Sequence, residues 1–350
     1  MSDKTITLLT DYQGRFGSKH DDRPYRSGMD REKLKDHFAG WGWKTQFIPF
    51  SSVDFFKTDH RGRLYLYTSS EDQDFIYKDY IEDIVYGLEL AGAHVIPPYK
   101  YLRANNNKVI MEILRENTKS PRLNSPKSWQ FGTLEEFLTG TDDLPYPCVL
   151  KTAAGASGRG VFLANNKKEL IKKVKKISRT RNVYAEVWDW VRSKKHSGYT
   201  RESRHRSKFV IQDFIPNLKN DWKVYVFGKK IFIFYRPILK GRGIRASGGG
   251  YHNYSYGENA NFPEGIFDFA KSIFEKLNVP NVSLDIVYDG SQFHLLEFQC
   301  VYFGTAGIVK SNCFYAQDDK LKWQPYFEKL TIERVFVDSV YEYIIKEKIK

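Results

Sequence analysis

The residues of this chain best suited to chemistry lie in one stretch, Val282 to Gln299. Asp285 and Glu297 interrupt otherwise apolar runs there, and Gln299 follows two positions after Glu297. Between the runs, Asp289-Gly290 tolerates the positive φ of a tight turn, so the stretch is expected to form two antiparallel strands. Alternate residues of a strand share a face, and both carboxylates can therefore sit on one face of the ribbon. Two carboxylates and a carboxamide make an oxygen cluster suited to a hard cation such as Mg²⁺, which binds through few protein groups and completes its shell with phosphates. A nucleotide site should then lie upstream.

The loop Ala153-Ala154-Gly155-Ala156-Ser157-Gly158-Arg159-Gly160 is the upstream candidate. Its small residues let backbone N–H groups approach a phosphate. Lys151, at the end of the apolar run Pro147-Cys148-Val149-Leu150, can add a point charge. The loop is not a P-loop, because no Gly-Lys-Ser/Thr follows and Val161-Phe162-Leu163 returns as a strand rather than a helix. A glycine-rich loop is as often only a turn, and by itself this one leaves both readings open.

The elements that must hold these groups follow from periodicity. Ile6 to Asp11, Thr45 to Phe50, Leu64 to Thr68 and His94 to Pro97 read as strands. Helices are expected at Asp30 to Gly40, with Asp30 as N-cap and Gly40 as stop, and at Tyr80 to Leu90. This alternation predicts an α/β lobe over roughly residues 1–100. No Gly-x-Gly-x-x-Gly fingerprint follows the first strand. Further on, Lys108 to Asn117, Gly265 to Leu277 and Thr331 to Ile345 read as helices. Phe209 to Ile215 reads as a strand, and Trp222 to Phe227 with Lys230 to Arg236 as a hairpin around Gly228.

The order lysine and glycine-rich loop, Gln212-Asp213-Phe214-Ile215, Asp221-Trp222-Lys223-Val224-Tyr225-Val226, then Asp285…Glu297-Phe298-Gln299 resembles the ATP-grasp superfamily. Within it, the likeness is to the branch of glutathione synthetase, D-alanine–D-alanine ligase and ribosomal-protein glutamate ligase, over about residues 100–310. The resemblance implies an α+β fold in which two α+β lobes clamp ATP, preceded by an α/β lobe. It assigns residues 1–100 to a substrate-side lobe, 101–210 to the first ATP-grasp lobe with a basic insertion at 178–208, and 211–350 to the second, with the Mg²⁺ ligands.

By the same resemblance, Lys108 and Lys151 hold the nucleotide phosphates beneath Gly155, Ser157 and Gly158. Gln212, Asp213, Phe214 and Ile215 form the strand that reads adenine, and Asp221 faces ribose or substrate. Lys223 and Arg236 line the phosphate and substrate end. Arg245, or alternatively Arg242, precedes the substrate loop Gly248-Gly249-Gly250. Asp285, Glu297 and Gln299 match the ligands of two Mg²⁺ ions, with Mn²⁺ as a substitute, although the family usually has asparagine where Gln299 stands. The implied reaction is ligation of a carboxylate to an amine through an acyl phosphate, with ADP and phosphate as products. An ATP-grasp kinase is the alternative on the same apparatus.

Composition narrows the partners. Net charge is +13, much of it between Lys167 and Lys208. The tract reads either as a surface for a nucleic acid or other polyanion, or as a solvated helix face followed by a mobile insertion. With Arg15, Lys19, Arg23 and Arg26 in the loop after the first strand, it could also receive an anionic amino acid, peptide or glycan. No run of about 18 apolar residues predicts a membrane span. The N-terminus enters a strand without a signal-peptide pattern, and Cys148, Cys300 and Cys313 lack paired spacing. Reduced thiols in a cytoplasmic protein are expected, and oligomerisation is left open.

Overall fold

The structure, a computed structural model, describes residues 4–17, 27–123, 125–140, 143–155, 160–180, 182–238 and 253–349. The chain divides into two compact units. One comprises Met1–Asn105, Asn220–Pro237 and Gly250–Lys350, and the other Asn106–Lys219 and Ile238–Gly249.

Short apolar runs punctuated by glycine build the start of the first unit. Strands β1 (Thr5–Thr10), β2 (Lys44–Pro49), β3 (Leu64–Tyr67) and β4 (His94–Ile96) form a parallel sheet in the order β2-β1-β3-β4. Helix α1 (Arg31–Gly40) starts where expected, because the Asp30 side chain accepts hydrogen bonds from the N–H groups of Glu32 and Lys33. Gly40 stays within the helix, and Trp41 caps it. Helix α2 (Ile76–Leu90) starts four residues before Tyr80. Its first residue follows Phe75 in the left-handed region, and the first turn is capped from Asp72, whose carboxylate accepts the Tyr77 and Lys78 N–H groups at 2.9 and 3.2 Å. Helix α3 (Tyr99–Ala104) ends this segment.

The second unit begins with α4 (Lys108–Asn117). An antiparallel sheet follows in the order β5-β8-β6-β7, from β5 (Ser128–Phe131), β6 (Cys148–Thr152), β7 (Val161–Ala164) and β8 (Phe209–Asp213). Helix α5 (Leu134–Thr139) opens on a Thr133–Glu136 capping box, and α6 (Lys167–Ile177) on an Asn166 cap. Their apolar sides close a core of Leu134, Phe137, Leu150, Leu170, Val174 and Phe209. The segment read as a mobile insertion contains an ordered helix instead, α7 (Val183–Lys195), capped by the Asn182 side chain.

The chain then returns to the first unit and lays down an antiparallel sheet. Its strands are β9 (Asn220–Phe227), β10 (Lys230–Pro237), β11 (Ser255–Tyr256), β12 (Asn281–Tyr288), β13 (Phe293–Gln299), β14 (Phe314–Gln317) and β15 (Trp323–Tyr326). The order is β13-β12-β9-β10-β14-β15, with β11 beside β10. Helices α8 (Ile266–Leu277) and α10 (Ile332–Lys346) pack on β9 and β12, and α9 (Ala306–Lys310) on β9 and β10. One large core joins Leu8, Leu34 and Phe38 of the first strands and helix to Tyr225, Phe234, Val335 and Val340.

Candidate active site

In the first unit, strand register assembles a row of charges. Asp285 lies opposite Glu297 on one side and opposite Lys223 on the other, while Asp221 lies opposite Arg236. Residues 221 and 223, like 297 and 299, are two apart and share a face. Six of the sequence-derived candidates, Asp221, Lys223, Arg236, Asp285, Glu297 and Gln299, thus belong to one face of one sheet. Ser283, which pairs in register with both Gln299 and Tyr225, joins them; its buried Oγ has no hydrogen-bond partner among the described residues.

Several of these side chains bind one another. Arg236 donates to both carboxylate oxygens of Asp221, at 2.5 and 2.7 Å, and its Nη2 lies 3.0 Å from Asp285 Oδ2. Lys223 Nζ donates to Asp285 Oδ1 at 2.7 Å. Burial alone would raise the pKa of Asp285, but Arg236 and Lys223 outweigh it and hold the carboxyl well below the usual carboxylate range. At Asp221 burial prevails over Arg236, and its pKa is raised. Burial opposes the charge of Arg236, while Asp221 and Asp285 hold its pKa above the ordinary value. Lys223 and Arg236, expected as cations for a phosphate or substrate, are thus ion-paired with the carboxylates beside them.

This donor set fits Mg²⁺. Asp285 is kept ionised, Glu297 faces it across one strand pair, and Gln299 offers a carbonyl oxygen two residues on. Among the described residues no group of three or more His, Cys, Asp or Glu side chains could hold a metal. An ion here would depend on phosphate oxygens to complete its shell.

In the second unit the two lysines occupy buried positions. Lys108 is the first residue of α4, and its Nζ donates to the Gly155 carbonyl at 3.1 Å. Lys151, on β6, donates to Gln212 Oε1 at 2.5 Å across the β6–β8 pair. Gln212 Nε2 in turn donates to Glu112 Oε1 at 3.3 Å, and Glu112 is ion-paired with Arg115. Burial raises the pKa of Glu112 against the pull of Arg115 and Lys151. Asp213 closes β8, where its carboxylate accepts the Lys127 N–H at 3.1 Å; Phe214 and Ile215 follow directly.

Glu112 and Arg115 escaped the sequence reading. The signal was present: Lys108, Glu112 and Arg115 recur at helical spacing on the buried side of α4, where charges are costly unless partnered. Ser157, Gly158, Arg242, Arg245 and Gly248 to Gly250 lie outside the described residues, as do Lys19, Arg23 and Arg26. The basic tract 167–208 is partly neutralised from within. Arg179 and Arg204 pair with Glu186, Arg201 with Asp189, Lys173 with Glu169, and Arg206 with Glu202.

A family model for the ATP-binding domain of the carbamoyl-phosphate synthase L chain matches residues 111–187. No curated protein matches the sequence. Among solved structures the chain is similar to D-cycloserine synthetase DcsG, with TM-score 0.54 and 9% identity over 99% of this chain and 100% of that one. It is similar to the ADP complex of N5-carboxyaminoimidazole ribonucleotide synthetase, with TM-score 0.51 and 12% identity over 89% of this chain and 75% of that one. The ATP-grasp ligase PsnB, complexed with a minimal precursor, aligns with TM-score 0.50 and 11% identity over 98% and 100% of the two chains. The chain thus shares the fold of these structures, that of an ATP-grasp ligase among them, and within its second unit residues 111–187 match an ATP-binding domain.

Proposed function

We propose that this protein is an ATP-dependent carboxylate–amine ligase. The observation that supports this most is the carboxylate–cation row on one sheet face of an ATP-grasp fold, with Asp285 held ionised and Glu297 across from it. A substrate carboxylate oxygen attacks the γ-phosphorus of ATP, and ADP departs, leaving an acyl phosphate. The amine then attacks the acyl carbon, releases phosphate and loses a proton, and an amide remains. ATP and a carboxylate are both anionic, so positive charge must bring them together.

Lys108 and Lys151 serve as the cations for the nucleotide phosphates, and the backbone of Gln212 to Ile215 as the adenine-facing strand. Gln212 and Glu112 orient Lys151, giving its ammonium a fixed position before nucleotide arrives. Arg236 and Lys223 keep Asp285 ionised and aimed. Mg²⁺ bound by Asp285, Glu297 and Gln299 would neutralise charge on the phosphate oxygens. Arg245 and the N–H groups of Gly248 to Gly250 are assigned to the oxyanion of the tetrahedral intermediate. A cytoplasmic location suits an ATP-consuming enzyme whose three cysteines are free and buried.

The test is an ADP-release screen over carboxylates paired with amines, with mass spectrometry of the products. Amine-dependent ADP release and an amide product are expected. Glu297→Ala should keep the thermal midpoint of the parent and lose at least roughly 100-fold in ADP formation. Normal turnover by that variant would remove Glu297 from the metal set. A stable phosphorylated product formed without any amine would make the protein a kinase of the same fold.

A further inference from the structure

Helix α7 has no core of its own: none of its 13 residues is buried. Its acidic side is nonetheless held firmly. Glu186 pairs with Arg179 at 2.9 Å and with Arg204 at 3.3 Å. Asp189 accepts from the Tyr199 hydroxyl at 2.7 Å and from Arg201 at 3.3 Å. These bonds fix which way the helix is turned. At about 100° per residue, positions 184, 187, 188 and 191 fall on the opposite side.

That outward side is Tyr184, Val187, Trp188 and Val191. Tyr184, Val187 and Trp188 are 75%, 54% and 47% exposed, and the two rings meet edge to face at 6.1 Å. Arg192, Lys194 and Lys195 complete the helix, and no ion pair among the described residues neutralises either lysine. Before it, α6 exposes Lys168, Lys172, Lys175 and Lys176. An apolar aromatic stripe turned to solvent and flanked by uncompensated positive charge is therefore built into this part of the chain.

We propose that the outward face of α7 docks on an anionic lipid surface. The stripe enters the headgroup boundary, and the lysines meet the lipid charge. Tyrosine and tryptophan favour that boundary because each has an apolar body and a polar tip. The valines suit acyl chains, whereas a single-stranded nucleic acid needs flat stacking faces along a groove, to which Val187 and Val191 add nothing. A bound peptide helix would need a groove or an open strand edge, while this face is a convex ridge. No described helix is long and apolar enough to cross a membrane, so the attachment is peripheral.

The experiment is co-sedimentation of the full chain with vesicles of equimolar phosphatidylserine and phosphatidylcholine, and with phosphatidylcholine alone. Binding to the anionic vesicles is expected, weakened by salt and slight on the neutral ones. Tyr184→Ser with Trp188→Ser, and separately Lys194→Glu with Lys195→Glu, should each weaken it by roughly tenfold or more. Both double variants change only exposed positions, so their thermal midpoints and soluble ATP turnover should match the parent. Failure of the parent to bind anionic vesicles overturns the proposal. So does loss confined to the charge variant, which would reduce the effect to general electrostatics. Polyuridylate binding that both variants abolish, with vesicle binding intact, would assign the face to RNA instead.

Discussion

Arg236 is the residue on which the site's electrostatics turn. Its guanidinium bridges the buried carboxylate of Asp221 and the partly buried one of Asp285, which would otherwise repel each other. Removing one partner of such a group costs more than the group contributes, because the remaining charges stay buried. Arg236→Met should therefore destabilise the first unit by about 3–5 kcal/mol, measured by urea unfolding at neutral pH. Adding Asp221→Asn should recover part of that loss; a neutral single variant would show that water already screens the cluster. The pH dependence follows from Asp285, whose folded pKa lies below its ordinary 3.8. Its stabilisation is complete above that value and is withdrawn as pH falls through the folded pKa. Without Arg236 the withdrawal should begin at higher pH. The sequence marks Asp285, Glu297 and Lys223 because charges in apolar strands demand partners. It does not say which partner each one takes, since that depends on the register of strands far apart in the chain.

At the scale of elements, α9 shows how closely the sheet is approached. A Cβ on Gly307 would lie 2.5 Å from ring atoms of both Tyr225 and Phe234, on the face that carries the charges. Gly307→Ala should push this short helix off the sheet and cost about 1–3 kcal/mol, read as a lowered thermal midpoint. An unchanged midpoint would mean that the rings yield freely. Elements with a strong period or a side-chain cap could be read from the sequence: α1, α4 and α10 lie where spacing and caps put them. Helix α7 could not, because its apolar stripe faces solvent and its acidic side faces the chain, an inversion of the usual amphipathic rule. Helix α5 was too short for periodicity to register, although its Thr133–Glu136 box was a usable sign.

For the whole molecule, the division into units is not a division of the sequence into consecutive blocks. Ile6 and Leu34 share a core with Val335 and Val340, and α1 meets α10 through the stacked rings of Trp41 and Tyr341 and a hydrogen bond from the Asp30 N–H to Glu333. Nothing in local patterning tells a strand at one end of the chain which helix at the other end will cover it. Each unit has its own core, and the second is formed mainly from the segment between Asn105 and Asn220. Calorimetric unfolding should therefore resolve more than one transition. A single transition with equal calorimetric and van't Hoff enthalpies would show that the cores melt as one.

The hairpin that carries Asp285 and Glu297 breaks register between Asp285 and Ile286, where Leu296 has no partner opposite it. On an unbroken strand Leu295 and Glu297 would share a face. The extra residue turns Leu295 and Phe293 to the far side, where Phe293 stacks on Phe269 of α8, while Glu297 and Gln299 stay with Asp285. A single strand thus turns apolar side chains to the core with one half and oxygen donors to the charged face with the other. Its two halves can drift independently under selection, the core exchanging one hydrocarbon for another without moving an oxygen at the site.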